Sequence, residues 1–249
     1  DARQGDYCLK HFPITFATRV DSRYYCRESD EFKRKNIARF SELAHSVYSL
    51  NPDLLNVLPA KARFVPYGHV FLNEWLPVYS QDHNAPLRIL HAPSHRLVKG
   101  TDLILAALEE LKQEGCDFEL LLVEGLSNTQ AREIYVRADV LIDQLFAGWY
   151  GGLAVELMAL GKPVLAYIRE DDLDFIDPAM RLELPVIQTT PEDVKTVIRR
   201  VLQTPRQELV ELGRRSRVFV ERWHDAMQIA ALIKRDYELA IASKNSKAS

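Results

Sequence analysis

Glu156 stands alone in an apolar run. In "GWYGGLAVELMALGKP", residues 148–163, its neighbours are Leu153, Ala154, Val155, Leu157, Met158, Ala159 and Leu160, and a merely buried helix would carry a hydrophobe at 156 as well. A carboxylate in such company has to be paired or has to face a polar ligand. Ionised, it accepts two hydrogen bonds, which suits the adjacent hydroxyls of a sugar ring; the other reading is a structural salt bridge or a partner for the helix dipole. Just upstream, Gly151 and Gly152 open the same helix. Bare backbone there either lets an anion reach the free N–H groups of the first turn or serves a tight turn that needs positive φ. Two cations, Arg96 and Lys99, fall in "PSHRLVKG". Arg grips phosphate as a fork and Lys as a point charge, unless both are simply solvated.

These residues need a scaffold, and the pattern from Pro86 onward supplies one. Short apolar runs, "LRILHA", "FELLLVEG", "DVLIDQL", "KPVLAYI" and "LPVIQT", alternate with helical segments. The helices read as "GTDLILAALEELKQEG", closed by Gly115; "SNTQAREIYVRA", capped by Ser127 or Asn128; "GGLAVELMALG"; "TPEDVKTVIRRVLQ", opening at Thr190-Pro191-Glu192; and two more to the end, with a frayed tail "SKNSKAS". Strand–helix alternation with continuous apolar strands predicts an α/β fold, a doubly wound parallel sheet covered on both faces. Ligands of such sheets bind beyond the carboxyl ends of the strands, so "PSHRLVKG", "EGLSN" (124–128), "QLFAGWYGG" (144–152) and "REDDLD" (169–174) lie on the ligand edge. The last of these reads as a solvated acidic loop. Residues 1–68 are mixed: a helix starting near Ser29, a strand in "HSVYSL", a short helix capped by Asn51 with Pro52 first, and a strand in "ARFVPYG". Residues 69–85 read as a connector.

Composition excludes several classes. The chain has 249 residues, 47% apolar and 27% charged, which is globular and enough for one to two domains. A net charge of −3 gives no electrostatic case for nucleic acid. Cys8, Cys26 and Cys116 lack metal-ligand spacing and read as free thiols of a reducing, cytoplasmic compartment. No apolar run reaches the length of a membrane span, and the N-terminus shows no signal-peptide core. His91, His95 and His224 form no metal set, and His91 reads as a hydrogen-bonded core residue. Trp149 and Tyr150 either line the pocket or pack beneath the loop. The sequence shows no Ser-His-Asp set, paired catalytic carboxylates or Cys-His pair.

Taken together, "RILHAPSHRLVKGTDLILAALEEL…FELLLVEGLS…ADVLIDQLFAGWYGGLAVELMALGKPVLAYI" resembles the C-terminal donor-binding domain of group 1 (family 4) glycosyltransferases of the GT-B fold, over about residues 63–242. The resemblance implies a Rossmann-like nucleotide-sugar-binding domain at 86–223. It also implies an interdomain linker at 69–85, the closing part of an incomplete N-terminal acceptor domain at 1–68, and a return helix with frayed tail at 224–249. It implies Arg96, Lys99 and the 151–154 loop (Gly151, Gly152, Leu153) on the donor diphosphate, Glu156 on the ribose hydroxyls, and Glu124 and Gly125 near the nucleotide. The activity implied is transfer of a sugar from a nucleotide-diphosphate donor to an acceptor that the sequence does not name, with retention and without metal or other cofactor. The resemblance leaves membrane association, such as a peripheral one, undetermined, since it would reside mainly in the part of the N-terminal domain that residues 1–68 do not include. Two departures stand out: Gly148 occupies the place of the first glutamate of the E-x7-E pattern, and the Arg–Lys spacing is short. The incomplete N-terminal half of the cleft, with which the missing glutamate agrees, leaves room for a second reading, a nucleotide-sugar-binding module without turnover.

Overall fold

The structure, a computed structural model, describes residues 10–12, 27–80 and 84–248. Cys8 and Cys26 lie outside the described residues; Cys116 is a free thiol. Five strands form the main sheet: β3 (Leu87–His91), β4 (Phe118–Leu122), β5 (Val140–Ile142), β6 (Val164–Ala166) and β7 (Ile187–Gln188). Their order is β4-β3-β5-β6-β7 and every pair is parallel. The expected doubly wound sheet is therefore present. Alternate residues of its strands face opposite cores. Leu90, Leu141, Val164 and Ala166 pack against α4 (Asn128–Arg137), α5 (Gly152–Ala159) and α8 (Arg206–Trp223). Leu87, Ile89, Val140, Ile142 and Leu165 pack against α3 (Thr101–Gln113) and α7 (Val194–Gln203). A strand buried on both faces has no polar alternation, which is why β5 and β6 are continuously apolar.

Chain progress reverses between β3 and β5, the neighbours that start the two halves of the sheet. That switch point opens a crevice outside the carboxyl ends of the strands. The loops after β3 and β5 flank it.

A second, two-stranded parallel sheet pairs β1 (Val47–Ser49) with β2 (Ala62–Phe64), joined through a 3₁₀ turn, Pro52–Asn56, behind helix α1 (Arg27–Leu43). The last helix, α9 (Ala226–Ala248), returns to this unit. Tyr48 donates its hydroxyl to Asp236 at 2.6 Å, and Arg63 pairs with the same carboxylate. α9 includes most of "SKNSKAS".

Three local expectations are corrected. The stretch after β3 is not a plain loop: Arg96–Lys99 form a one-turn helix, α2, because His95 caps it by accepting from Val98 N and Gly100 ends it at φ +73°. The helix opened at Thr190 runs from Val194, after a turn in which Thr190 and Asp193 bond each other's backbone N–H in the manner of a capping box. "REDDLD" is not a solvated loop but a 3₁₀ turn, Glu170–Phe175, that buries Asp172 beside a buried Arg169 at 3.2 Å. Short α6 (Pro178–Glu183) follows.

Candidate functional site

At the switch point Asp143 stands directly after β5 and is buried. Lys99 Nζ donates to its Oδ1 at 2.7 Å, and the Gly151 amide donates to its Oδ2 at 2.6 Å. Lys99 is itself buried, held from behind by its carbonyl, which accepts from Leu145 N at 3.1 Å. Two glycines make this possible. A Cβ on Gly100 would stand 3.1 Å from Leu145 Cβ, and one on Gly151 would stand 3.1 Å from Lys99 Nζ. Gly151 has φ −91°, so the left-handed turn is not its reason; close approach of the ammonium is. The turn residue of this loop is Gly148, at φ +71°. Beneath the loop Trp149 and Tyr150 are fully buried and stacked at 4.4 Å, so they are floor and not lining. Tyr150 O–H donates to His224 Nε2 at 2.8 Å, while His224 Nδ1–H donates to Tyr67 O at 2.9 Å. Burial holds this imidazole neutral, its pKa pulled down to about 4.

From Gly151 the surface continues along α5. The amides of Gly152 and Leu153 open the helix outside its i→i−4 ladder. One turn on, Glu156 faces His69, whose Nε2 is 3.5 Å from Oε1. Lys99, Gly151, Gly152, Leu153 and Glu156 thus lie along one edge. Arg96 is engaged differently. Its Nε and one terminal nitrogen donate to the two oxygens of Glu124 at 2.8 and 2.6 Å, a bidentate pair on half-exposed side chains. The Glu124 hydrogen bond raises the guanidinium pKa, and Arg96 in turn lowers that of the carboxyl. Gly125 follows at φ +67°. Arg96, Glu124 and Gly125 therefore form a second cluster beside β3 and β4, with Arg96 turned to Glu124 and not toward Glu156. His91 is a core residue, as read: Nδ1 lies 2.8 Å from Ile142 O and Nε2 2.9 Å from Thr101 Oγ1.

Sequence reasoning missed four contributors. Asp143 carried a usable signal, an acid closing an apolar strand in "VLID", the same anomaly as Glu156. His69, Tyr67 and Asp53 carried none, because only folding brings the 3₁₀ turn and the connector over this edge. Tyr67 donates to Asn51 Oδ1 at 2.6 Å, and its pKa is pushed up to about 12 by burial and then by the charges of Asp143 and Asp53. Burial likewise lifts Asp53 to about 6 against the pull of Arg169. Arg169 also explains Gly148. A Cβ at 148 would meet Arg169 Cβ at 3.2 Å and Nε at 3.3 Å on a left-handed backbone, so a side chain there would be strained.

The arrangement can bind an anion. Lys99 has three donors and Asp143 engages one. The helix amides and dipole add positive potential. Glu156 can accept hydroxyls. A small hollow of about 20 Å³ lined by Tyr79, Asp139, Lys162 and Arg206 lies at the opposite edge of the sheet and includes none of these residues.

No protein-family model and no curated protein sequence matches the chain. Solved structures do. Sucrose-phosphate synthase from Thermosynechococcus elongatus matches at TM-score 0.60 and 19% identity over 80% of this chain and 59% of that one. Anabaena HepE in complex with UDP-glucose matches at 0.56 and 14%, over 83% and 69%. A TarM mutant from S. aureus, in complex with fondaparinux, α-GlcNAc-glycerol and UDP, matches at 0.58 and 13%, over 88% and 48%. The chain spans about half to two thirds of the length of these proteins. At such identities the similarity shows the fold: an α/β architecture shared with GT-B glycosyltransferases.

Proposed function

We propose that the chain is the donor-binding portion of a group 1 (family 4) glycosyltransferase, moving a sugar from a nucleotide-diphosphate sugar to an acceptor with retention and without metal. The observation that carries this reading is the Lys99–Asp143–Gly151 junction at the switch point, continuous with the opening amides of α5 and with Glu156. Charge builds on the leaving diphosphate as the glycosidic bond breaks, and fixed donors aimed at that charge lower the barrier. Lys99 and the amides of Gly152 and Leu153 are such donors. They supply electrostatically what a divalent ion supplies in other transferases. Glu156 holds the ribose hydroxyls. Arg96 reaches the diphosphate by exchanging Glu124 for phosphate, an exchange open to it because both side chains are half-exposed. The two neighbours bound to UDP or UDP-glucose support the ligand class.

The second reading is a nucleotide-sugar-binding module without turnover. Gly148 and the packing of Arg169 against it favour this reading, since no carboxylate from 148 can reach the sugar. Donor hydrolysis by the isolated chain separates the two: steady release of sugar supports the enzyme, and binding of UDP-glucose without release supports the module. Calorimetry with UDP tests both. Lys99→Met should weaken UDP by about tenfold or more, the loss of one charged hydrogen bond. Equal affinity in the variant would remove the role given to the lysine.

A further inference from the structure

His69 is fixed more firmly than most residues of a connecting segment. On one side Gly68 presses on α9, where a Cβ would stand 2.9 Å from Ile229 Cβ. On the other Val70 is fully buried and bridges to Asp225. With the backbone held on both sides, the ring is set over the first turn of α5. Its Cε1 lies 3.3 Å and its Nε2 3.5 Å from where a Cβ on Gly152 would be, so Gly152 gives the ring its seat. Tyr67 meets the ring edge-on, with centroids 5.9 Å apart. Nε2 stands 3.5 Å from Glu156 Oε1, within ion-pair range but too long for a strong hydrogen bond, and 40% of the side chain is exposed. A residue needed only to cover the helix would be apolar. This one presents a nitrogen to the space between the opening amides and Glu156.

On the reading above, which this inference depends on, those amides and Glu156 hold the diphosphate and the ribose of one ligand. Any such ligand passes under His69. We propose that His69 is a further donor-binding residue, its Nε2–H donating to a phosphate oxygen seated at Gly152 and Leu153. The segment joining the two sheets then reads the diphosphate and not the nucleoside.

The test is calorimetry with UDP and with uridine on the chain and on its His69→Ala and His69→Gln variants, with circular dichroism to confirm that each is folded. The expected result is a loss of about tenfold in UDP affinity for His69→Ala. Uridine affinity should hold, and His69→Gln, which keeps an N–H donor, should recover part of the loss. Unchanged UDP affinity in His69→Ala would overturn the proposal and leave the nucleotide reading intact. Equal losses for UDP and uridine would also overturn it, since His69 would then act through Glu156 or the fold. Failure of the unaltered chain to bind UDP would remove both the proposal and the reading beneath it.

Discussion

The two edges of the main sheet each hold a buried carboxylate paired with a cation, and they are not equivalent. At the amino edge Asp139 accepts from Arg88 N, Nε and a terminal nitrogen at 2.9, 3.1 and 3.0 Å, with Arg206 3.8 Å away. Arg206 also donates to Ala85 O at 2.6 Å, and Lys162 donates to Val78 O. Each cation there is tied to a backbone carbonyl or to Asp139, and the cluster ties α8 and the connector to the sheet. At the carboxyl edge Asp143 engages one proton of Lys99 and the Gly151 amide, while α5 opens at Gly152 without a side-chain cap and Glu156 lies 3.5 Å from the part-exposed His69. The difference is not charge, since both edges have it, nor the presence of a hollow, since the amino edge has one. Nor is it an uncapped helix start, since α8 opens at Arg206 beside Asp139 as α5 opens at Gly152 beside Asp143. It is that the backbone at the start of α5 is glycine, so that the Gly151 amide itself reaches the carboxylate.

Removing each carboxylate should break the comparison open. Asp143→Ala leaves the buried Lys99 uncompensated and should cost about 3–5 kcal/mol in denaturant unfolding. Replacing both partners, Lys99→Met with Asp143→Leu, should recover most of that stability but not UDP binding. Asp139→Ala, whose partner Arg88 is nearly a third exposed, should cost about 2–3 kcal/mol and leave UDP affinity unchanged. A loss of UDP binding in Asp139→Ala, without unfolding, would erase the distinction between the edges.

Acid and alkali should separate them again, with a smaller effect. Lys162, at the amino edge, has its pKa pulled by burial from 10.5 to about 8. Between those values the unfolded chain binds the proton and the folded chain does not, so stability rises with pH from about 8 to 10.5. Lys162→Met should abolish that rise, on the order of 3 kcal/mol. His224, beneath the carboxyl-edge loop, is lowered by burial from 6.5 to about 4. Its contribution is intact above pH 6.5 and is lost as pH falls toward 4, so His224→Gln should flatten the acid limb. Identical pH profiles in these variants and in the unaltered chain would show that neither burial shapes stability.

The strands and the outer helices were legible because their signal is local: continuous apolar runs for a sheet covered on both faces, and helical spacing closed by Gly115 or capped at Ser127, which forms a full capping box with Gln130. Glu156, Gly151 and Lys99 were legible as anomalies against that background. α2 was not, because one turn of four residues has too little periodicity to register. The Arg96–Glu124 pair joins residues 28 apart, and the contact of His69 with Glu156 joins two halves of the chain. Both depend on tertiary placement, which no local pattern encodes. Arg169 and Asp172 were hidden for another reason: in "REDDLD" a buried ion pair and exposed acids have the same composition.

The central claim is that a nucleotide diphosphate sits at the switch point between β3 and β5. Titrating ¹⁵N-labelled protein with UDP and following backbone amides tests it most directly. The account expects saturable shifts concentrated at Gly151, Gly152, Leu153 and Glu156, with His69 and Lys99 following and Arg88 and Lys162 unmoved. Saturable shifts at the amino edge, or none at 151–156, would contradict it.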